Sequence, residues 1–352
     1  MSNVQKKGIA IVGYGGMGSH HGRMIEPVEE VYVCGTYDIK EDRQQAAKEA
    51  GLTPYPSFEA VLKAPEVDIV LIATPNDLHK EIAIAAMNAG KHVICEKPVT
   101  MHAVDLQEML DCAEKNGVVF SVHQNRRWDE DFRTMEHVIG TGVLGKVFRL
   151  ESRVHGCRGI PGDWRQRKAQ GGGMLLDWGV HIIDQMLLMI PEKITHVSCR
   201  FDHITNDEVD DGFECTLWFE SGVTAYLQVG TSNFINLPRW YVQGHNGTAV
   251  IEDWNQPCKA VYATGAPQGD ATPIVTAAGL TKTMAPREDE NIRREEYPIV
   301  RCDVRDFYRN FAAAVDGKEP QAVPNDQVMR VLRLLEKLHE SDEKRQILPF
   351  EK

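Results

Sequence analysis

Residues 8–18 read Gly8-Ile9-Ala10-Ile11-Val12-Gly13-Tyr14-Gly15-Gly16-Met17-Gly18. A short apolar strand runs straight into G-x-G-x-x-G, and a helical stretch follows. Each glycine has its own steric reason: a tight turn at Gly13, close approach of the backbone to a pyrophosphate at Gly15, and close helix–strand contact at Gly18. Gly16 and Met17 stand where the helix opens, and its free N–H groups and positive dipole end suit phosphate. By itself the pattern is weak. A second strand, residues 31–37, ends at Asp38, twenty residues after Gly18, where a dinucleotide fingerprint wants an acid for the ribose hydroxyls. Together these features predict a dinucleotide site. The Asp38 carboxylate would repel a 2′-phosphate, by ~1–4 kcal/mol per unit charge at ~4 Å. NAD is therefore expected over NADP, with Lys40 softening the preference.

Helical patterns over 41–50 and from the Ser57 cap to 62 separate this unit from a near-continuous apolar run, 67–74, the signature of a strand buried on both faces. It breaks at Pro75-Asn76, which puts Thr74, Pro75 and Asn76 at the carboxyl edge of a sheet. After a helix over 77–89, the strand His92-Val93-Ile94-Cys95 ends in Glu96-Lys97-Pro98. A cation then stands at the edge where open α/β sheets bind ligands. Thr100 is expected to cap a helix to Asn116 that stops at Gly117, and a last strand covers 118–123. Strands alternating with helices over short connections give a doubly wound parallel sheet for residues 1–124.

Gly13 to Gly18 with His21, Asp38, Ala73-Thr74-Pro75-Asn76 with His79, and Glu96-Lys97-Pro98 resemble the glucose–fructose oxidoreductase/inositol dehydrogenase/rhizopine catabolism (Gfo/Idh/MocA) family. The likeness runs through nearly the whole chain. It implies a Rossmann domain followed by an α+β domain with a large, mostly antiparallel sheet that pairs with a neighbouring subunit. It also implies that Thr74, Pro75, Asn76, His79, Glu96, Lys97 and Gln124 join the glycines and Asp38 around the cofactor. A cis Lys97–Pro98 bond is expected on the same ground.

Residues 125–352 change character at Asn125-Arg126-Arg127-Trp128. A helix over 129–139 and a strand over 146–155 precede a polar, glycine-rich loop, 156–172. Residues 173–190 are apolar nearly all round and read as one buried helix. Strand-like runs follow at 194–201, 212–219, 223–230, 240–243 and 248–252, with hairpin signals at Ser221-Gly222 and Asn246-Gly247. Residues 256–296 are weakly patterned and read as an extended loop with at most short strands. Helices are expected over 304–315 and 326–340. Large apolar residues in the strands, among them Phe213, Leu217, Trp218, Tyr226 and Leu227, exceed what one helix layer covers. A homodimer or homotetramer formed through the outer face of the sheet is expected.

Asp177 and His181 lie four apart on the apolar helix and so share a face, with Asp184 close to it. In isolation such a pair reads as a satisfied core hydrogen bond. Lys97, Asp177 and His181 match the family's catalytic lysine, aspartate and histidine position by position, which implies alcohol oxidation. A histidine titrates near neutrality, as a base should. An ammonium can stabilise the developing alkoxide, and Asp177 can hold an adjacent hydroxyl. His181 is read as base, Lys97 as polariser and Asp177 as positioner, the first two roles being exchangeable. His155, Trp164 and Arg165 are further substrate contacts that the likeness implies. Gln124 and Asn125 are candidates for the nicotinamide side, and Arg126 and Arg127 for ion pairs with Asp129 or Asp131.

The substrate expected is a sugar, a glycoside or an inositol, and the product a ketone. An NADPH-dependent ketosugar or imine reductase, and a sensor without turnover, are the rival readings. A formal charge of −12, from 39 basic and 51 acidic residues, disfavours nucleic acid and anionic membranes. No stretch approaches the ~20 apolar residues of a membrane span, and residues 1–7 show no signal-peptide core. The eight cysteines contain no C-x-x-C pair, which suggests a reducing cytoplasm and no structural metal.

Overall fold

Five parallel strands build the first sheet: β1 (Lys7–Val12), β2 (Val31–Tyr37), β3 (Ile69–Ile72), β4 (His92–Cys95) and β5 (Phe120–Val122), in the order β2-β1-β3-β4-β5. They alternate with helices α1 (Gly16–Ile25), α2 (Glu41–Glu49), α3 (Phe58–Lys63), α4 (His79–Asn88) and α5 (Ala103–Asn116). Every residue of β3 is fully buried, as an apolar strand covered on both faces must be. Gly13 has φ +91°, and a Cβ on Gly18 would lie 1.9 Å from the Gly13 carbonyl oxygen. The turn and the close contact assigned to these two glycines are both present. The computed structural model describes residues 6–265 and 270–351. Expectations for the first five residues and for 266–269 lie outside the described residues.

The second sheet has nine strands: β6 (Val147–His155), β7 (Ile194–Asp202), β8 (Gly212–Phe219), β9 (Thr224–Gly230), β10 (Trp240–Gly244), β11 (Gly247–Ile251), β12 (Cys258–Ala263), β15 (Ile292–Tyr297) and β16 (Leu348–Pro349). A small hairpin, β13 (Ile274–Thr276) with β14 (Gly279–Thr281), lies between β12 and β15. Only β6 and β9 pair in parallel; the other pairings are antiparallel. The fold is α/β, a Rossmann sheet beside a large, mostly antiparallel one. Among the described residues no helix is long and apolar enough to cross a membrane.

Four expectations need correction. Thr100 does not cap α5: the N-cap position is His102, Thr100 donates to its carbonyl, and the Ala103 N–H is taken by Glu336. The extended loop expected over 256–296 contains two six-residue strands, β12 and β15, that finish one edge of the sheet. Arg293-Arg294-Glu295-Glu296 hides β15, because an edge strand carries charge on its open side. The buried helix over 173–190 is instead a π turn, Leu175–Gly179, continuing into α7 (Val180–Met189). Finally, Phe213, Leu217 and Leu227 are fully buried on the inner face, so the outer face of β8 and β9 keeps only Trp218 and Tyr226 from the apolar set named above.

Helix α6 (Glu130–Gly140) packs beneath β11 and β12, while α8 (Asp306–Val315) and α9 (Asn325–Lys344) return to the first sheet. Asn325 donates to the Phe120 carbonyl at 3.1 Å, and Lys7 pairs with Asp316 at 2.5 Å. Further along α9, Ser341 accepts from the Cys199 N–H of β7. One amphipathic helix therefore ties the two sheets together and fixes the wall between them.

Candidate active site

A cleft of about 820 Å³ opens along the carboxyl edge of the first sheet. Gly13, Gly15, Gly16, Met17, Asp38, Thr74, Pro75, Asn76, Glu96 and Lys97 line it from the Rossmann side, and Trp164 and Arg165 from the second half. No atom lies within 4 Å of where a Cβ would stand on Gly15 or Gly16. The N-terminus of α1 thus faces open space with its N–H groups free, as a pyrophosphate requires. Asp38 is fixed by the Tyr14 N–H at 2.8 Å and the Lys40 N–H at 2.9 Å. Asp38 lines the cleft together with Lys40 and Arg43. These residues fit a dinucleotide.

Lys97 follows β4 after Glu96, and the Lys97–Pro98 bond beyond it is cis, as expected. Its Nζ donates to Asp177 Oδ1 at 3.1 Å and to the Asp177 carbonyl at 3.2 Å. Arg165 Nε donates to the other carboxylate oxygen at 3.2 Å. Burial pushes the Asp177 carboxyl up, but Lys97 and Arg165 outweigh it and hold the group below its ordinary range. His181 is buried one turn on, and its Nδ1 has no partner. Burial, then the charges of Lys97 and Arg126, keep its pKa well below the usual histidine value. At neutral pH the imidazole is uncharged. The π turn carries Asp177 and leads into His181, and such turns recur at functional sites.

Buried polar groups are nearly always paired. Here Thr74 Oγ1, His123 Nε2, both amide atoms of Gln124, Asn125 Oδ1, Arg126 Nε and His181 Nδ1 are all buried without a partner. Four of these residues are consecutive at the end of β5. Thr74 lines the cleft, and the orphans that follow β5 stand at the same carboxyl edge of the sheet.

Two predicted residues fall elsewhere. His79 is fully buried behind the cleft wall, its ring nitrogens 3.0 Å from the Thr74 carbonyl and 3.1 Å from that of Pro98. It braces the backbone rather than facing a cofactor. His155 alternates with the inward Val154, so it lies on the sheet face turned away from α7. There it meets Gln228 and the Leu237 N–H. The structure does not bring it to Lys97. Arg126 pairs with Asp129 as anticipated, whereas Arg127 takes Asp184 from α7 and Asp131 takes Arg239.

A model of the oxidoreductase family with an NAD-binding Rossmann fold matches residues 7–124, and a Gfo/Idh/MocA C-terminal domain model matches 132–250. The chain belongs to the Gfo/Idh/MocA family. It is an oxidoreductase with a dinucleotide-binding Rossmann domain. The scyllo-inositol 2-dehydrogenase (NADP(+)) of Bacillus subtilis is 28% identical over 97% of this chain and 96% of its own length. The D-glucoside 3-dehydrogenase of Escherichia coli is 29% identical over 48% of this chain and 52% of its own. A solved NAD-binding protein from Listeria innocua superposes with a TM-score of 0.94 at 46% identity, covering 98% of this chain and 99% of that one.

Several residues of this Gfo/Idh/MocA site escaped the sequence. Trp178 stands edge-on to His181, ring centroids 5.9 Å apart, and the Arg126 guanidinium lies 4.0 Å over its ring. Trp254, from the loop after β11, meets Trp178 at a tilt, ring centroids 6.0 Å apart. Asp210 accepts the Leu175 N–H at 2.7 Å where the π turn begins, and burial pushes its carboxyl up to about 8. No spacing rule connects these positions to Lys97.

Proposed function

We propose that the chain oxidises a secondary ring hydroxyl of a carbohydrate to the ketone, with NAD as the preferred acceptor. The carbohydrate is a sugar, a glycoside attacked at C3, or an inositol. One observation carries the reading: Lys97, which lines the cofactor-sized cleft from the dinucleotide half, meets Asp177 one helical turn before His181, whose Nδ1 has no partner. When bound, the nicotinamide supplies the hydride acceptor. The imidazole of His181 takes the hydroxyl proton, and the Lys97 ammonium stabilises charge developing on the oxygen. Asp177 and Arg165 are placed to orient the neighbouring hydroxyl. Gly13 to Gly18, Asp38 and Thr74 to Asn76 hold the dinucleotide, with Gln124 on the nicotinamide side.

Asp38 supports NAD, since its carboxylate meets ribose hydroxyls well and a 2′-phosphate badly. Lys40 and Arg43 line the same end of the cleft, and the Bacillus subtilis relative is named for NADP(+). They favour a second reading, an NADPH-dependent reductase of a ketosugar. Labour divides near residue 124, with 1–124 for the cofactor and 125–352 for substrate and oligomer contacts. Half-exposed Trp218 and Tyr226, and Phe234 and Ile235 at 88% exposure, support a homodimer or homotetramer. All eight cysteines are free, which suits a reducing cytoplasm.

The test is a reduction screen with NAD and NADP over inositols, hexoses and their glycosides. Turnover with a member of one class, faster with NAD, is the result expected. Turnover only in the reductive direction with NADPH would favour the second reading, and none in either direction would overturn both.

A further inference from the structure

Beside the cleft, but not used in the chemistry above, lies a closed cluster of titratable groups. His21 from α1, Glu96 after β4 and His123 after β5 converge on one carboxylate oxygen. His21 Nε2 and His123 Nδ1 both lie 2.8 Å from Glu96 Oε1, and the Lys97 N–H donates to Oε2 at 3.1 Å. Tyr308, on α8, completes the set with its hydroxyl 2.6 Å from His21 Nδ1. Both histidines and the tyrosine are fully buried, and Glu96 is 5% exposed.

An ionised carboxylate only accepts, so both ring nitrogens facing it are donors. Burial would push the Glu96 carboxyl up, but the bonds from His123 and His21 reverse this and hold it well below its ordinary range. Burial keeps His21 uncharged, and its Nδ1 then accepts from the Tyr308 hydroxyl. Within the cluster His123 Nε2 is the ring nitrogen left without a partner. Such a network is a poor source of stability, since apolar residues of the same volume would serve as well. What it does achieve is to lock a carboxylate, and with it the backbone N–H of the next residue. That residue is Lys97. From the other side His79 holds the carbonyls of Pro98 and Thr74.

We infer that His21, Glu96, His123 and Tyr308 form a buried clamp that positions Lys97 for catalysis, so that the two histidines and the tyrosine are positioning residues of the reaction. The inference rests on the proposed role of Lys97. The clamp joins three segments of the dinucleotide half to α8, which begins at Asp306 in the second half of the chain. The aim of Lys97 across to Asp177 is therefore set from both halves of the molecule.

The experiment compares variants that keep the donor with variants that remove it. His123→Asn and His21→Gln retain an N–H near the original position; His123→Leu and His21→Leu do not. Tyr308→Phe deletes only the hydroxyl and leaves no cavity. Turnover, KM, NADH affinity and melting temperature are measured for each, with Lys97→Ala alongside. The leucine variants should lose ~10- to 100-fold in kcat, the scale of a small misplacement transmitted to the reacting groups. KM and the NADH Kd should stay within about threefold, because the interaction is made in the transition state. The amide variants should recover most of the loss. Tyr308→Phe should lose about two- to tenfold, the worth of one neutral hydrogen bond.

Unchanged kcat in Tyr308→Phe and in the folded leucine variants would overturn the clamp. So would equal losses in the amide and leucine variants, or a stoichiometric metal whose removal abolishes activity, which would make the three residues ligands. If the leucine variants fail to fold, Tyr308→Phe and the amide pair still decide. Full turnover in Lys97→Ala would instead remove the proposed function, which separates the two failures.

Discussion

Two aspartates seven residues apart in one helical segment meet cations in opposite ways. Asp184 receives Arg127 through two bonds, at 2.6 and 2.7 Å, with both side chains under 5% exposed. The guanidinium is further engaged by Gln327 and the Ala322 carbonyl. Asp177 receives Lys97 at 3.1 Å and Arg165 at 3.2 Å, one bond to each oxygen, with 12–15% of the Asp177 and Lys97 side chains exposed. The first pair is sealed and saturated. The second is longer, its Lys97 lines the cleft, and His181 one turn on has a nitrogen without a partner. Burial of charge alone does not tell a structural pair from a reactive one; saturation does. A group that must meet a substrate keeps capacity in reserve.

The contrast is open to attack from both ends. Asp184→Ala leaves Arg127 charged and buried, and should cost ~3–5 kcal/mol of stability by urea unfolding. A loss below ~1 kcal/mol, the range of exposed pairs, would place the two pairs in one class. Lys97→Ala should do the reverse, lowering kcat ~10²–10³-fold, as deleting one charge-assisted donor does, with melting little changed. At the far end of the cleft, Asp38→Ala should shrink the preference for NAD over NADP in kcat/KM by about tenfold, towards the lower end of a ~1–4 kcal/mol charge repulsion. A wild type that prefers NADP would reverse the cofactor assignment.

The smallest effect expected is in pH. Burial, Lys97 and Arg126 depress the His181 pKa, so the acid limb of kcat/KM for oxidation should lie below the ordinary histidine value of ~6.5. Arg126→Gln removes one cation, so the protonated form becomes less unfavourable and the limb should move to higher pH. A limb that stays put, or moves down, would mean that His181 is not the titrating base.

The two halves also differ in how openly the sequence declares them. In the first, each strand, the glycine turn, Asp38 and the Lys97 edge were legible, because local sterics and an apolar run buried on both faces leave few alternatives. The bounds of β8 were recovered as well, since its residues alternate between a buried and an open face. What stayed hidden depends on contacts far apart in the chain. The cap on α5 comes from Glu336, the partner of Arg127 is Asp184, and α8 and α9 fold back over a sheet whose last strand ends near residue 122. His155 was named from the likeness alone, and its face could not be read in advance: strand alternation defines two faces, but only packing decides which of them meets α7. The π turn has no sequence signal of its own. It places Asp177 where both its carboxylate and its carbonyl reach Lys97.

The most direct test of the account is His181→Ala, assayed for NADH binding by fluorescence titration and for steady-state turnover on the best substrate from the screen. The proposed function assigns the dinucleotide to the glycine loop and Asp38, so the NADH Kd should match that of the wild type. Turnover should fall by ~10²–10⁴, the contribution of a general base. Wild-type turnover with wild-type NADH affinity would contradict the account and leave Asp177 and His181 as polar residues of a buried helix.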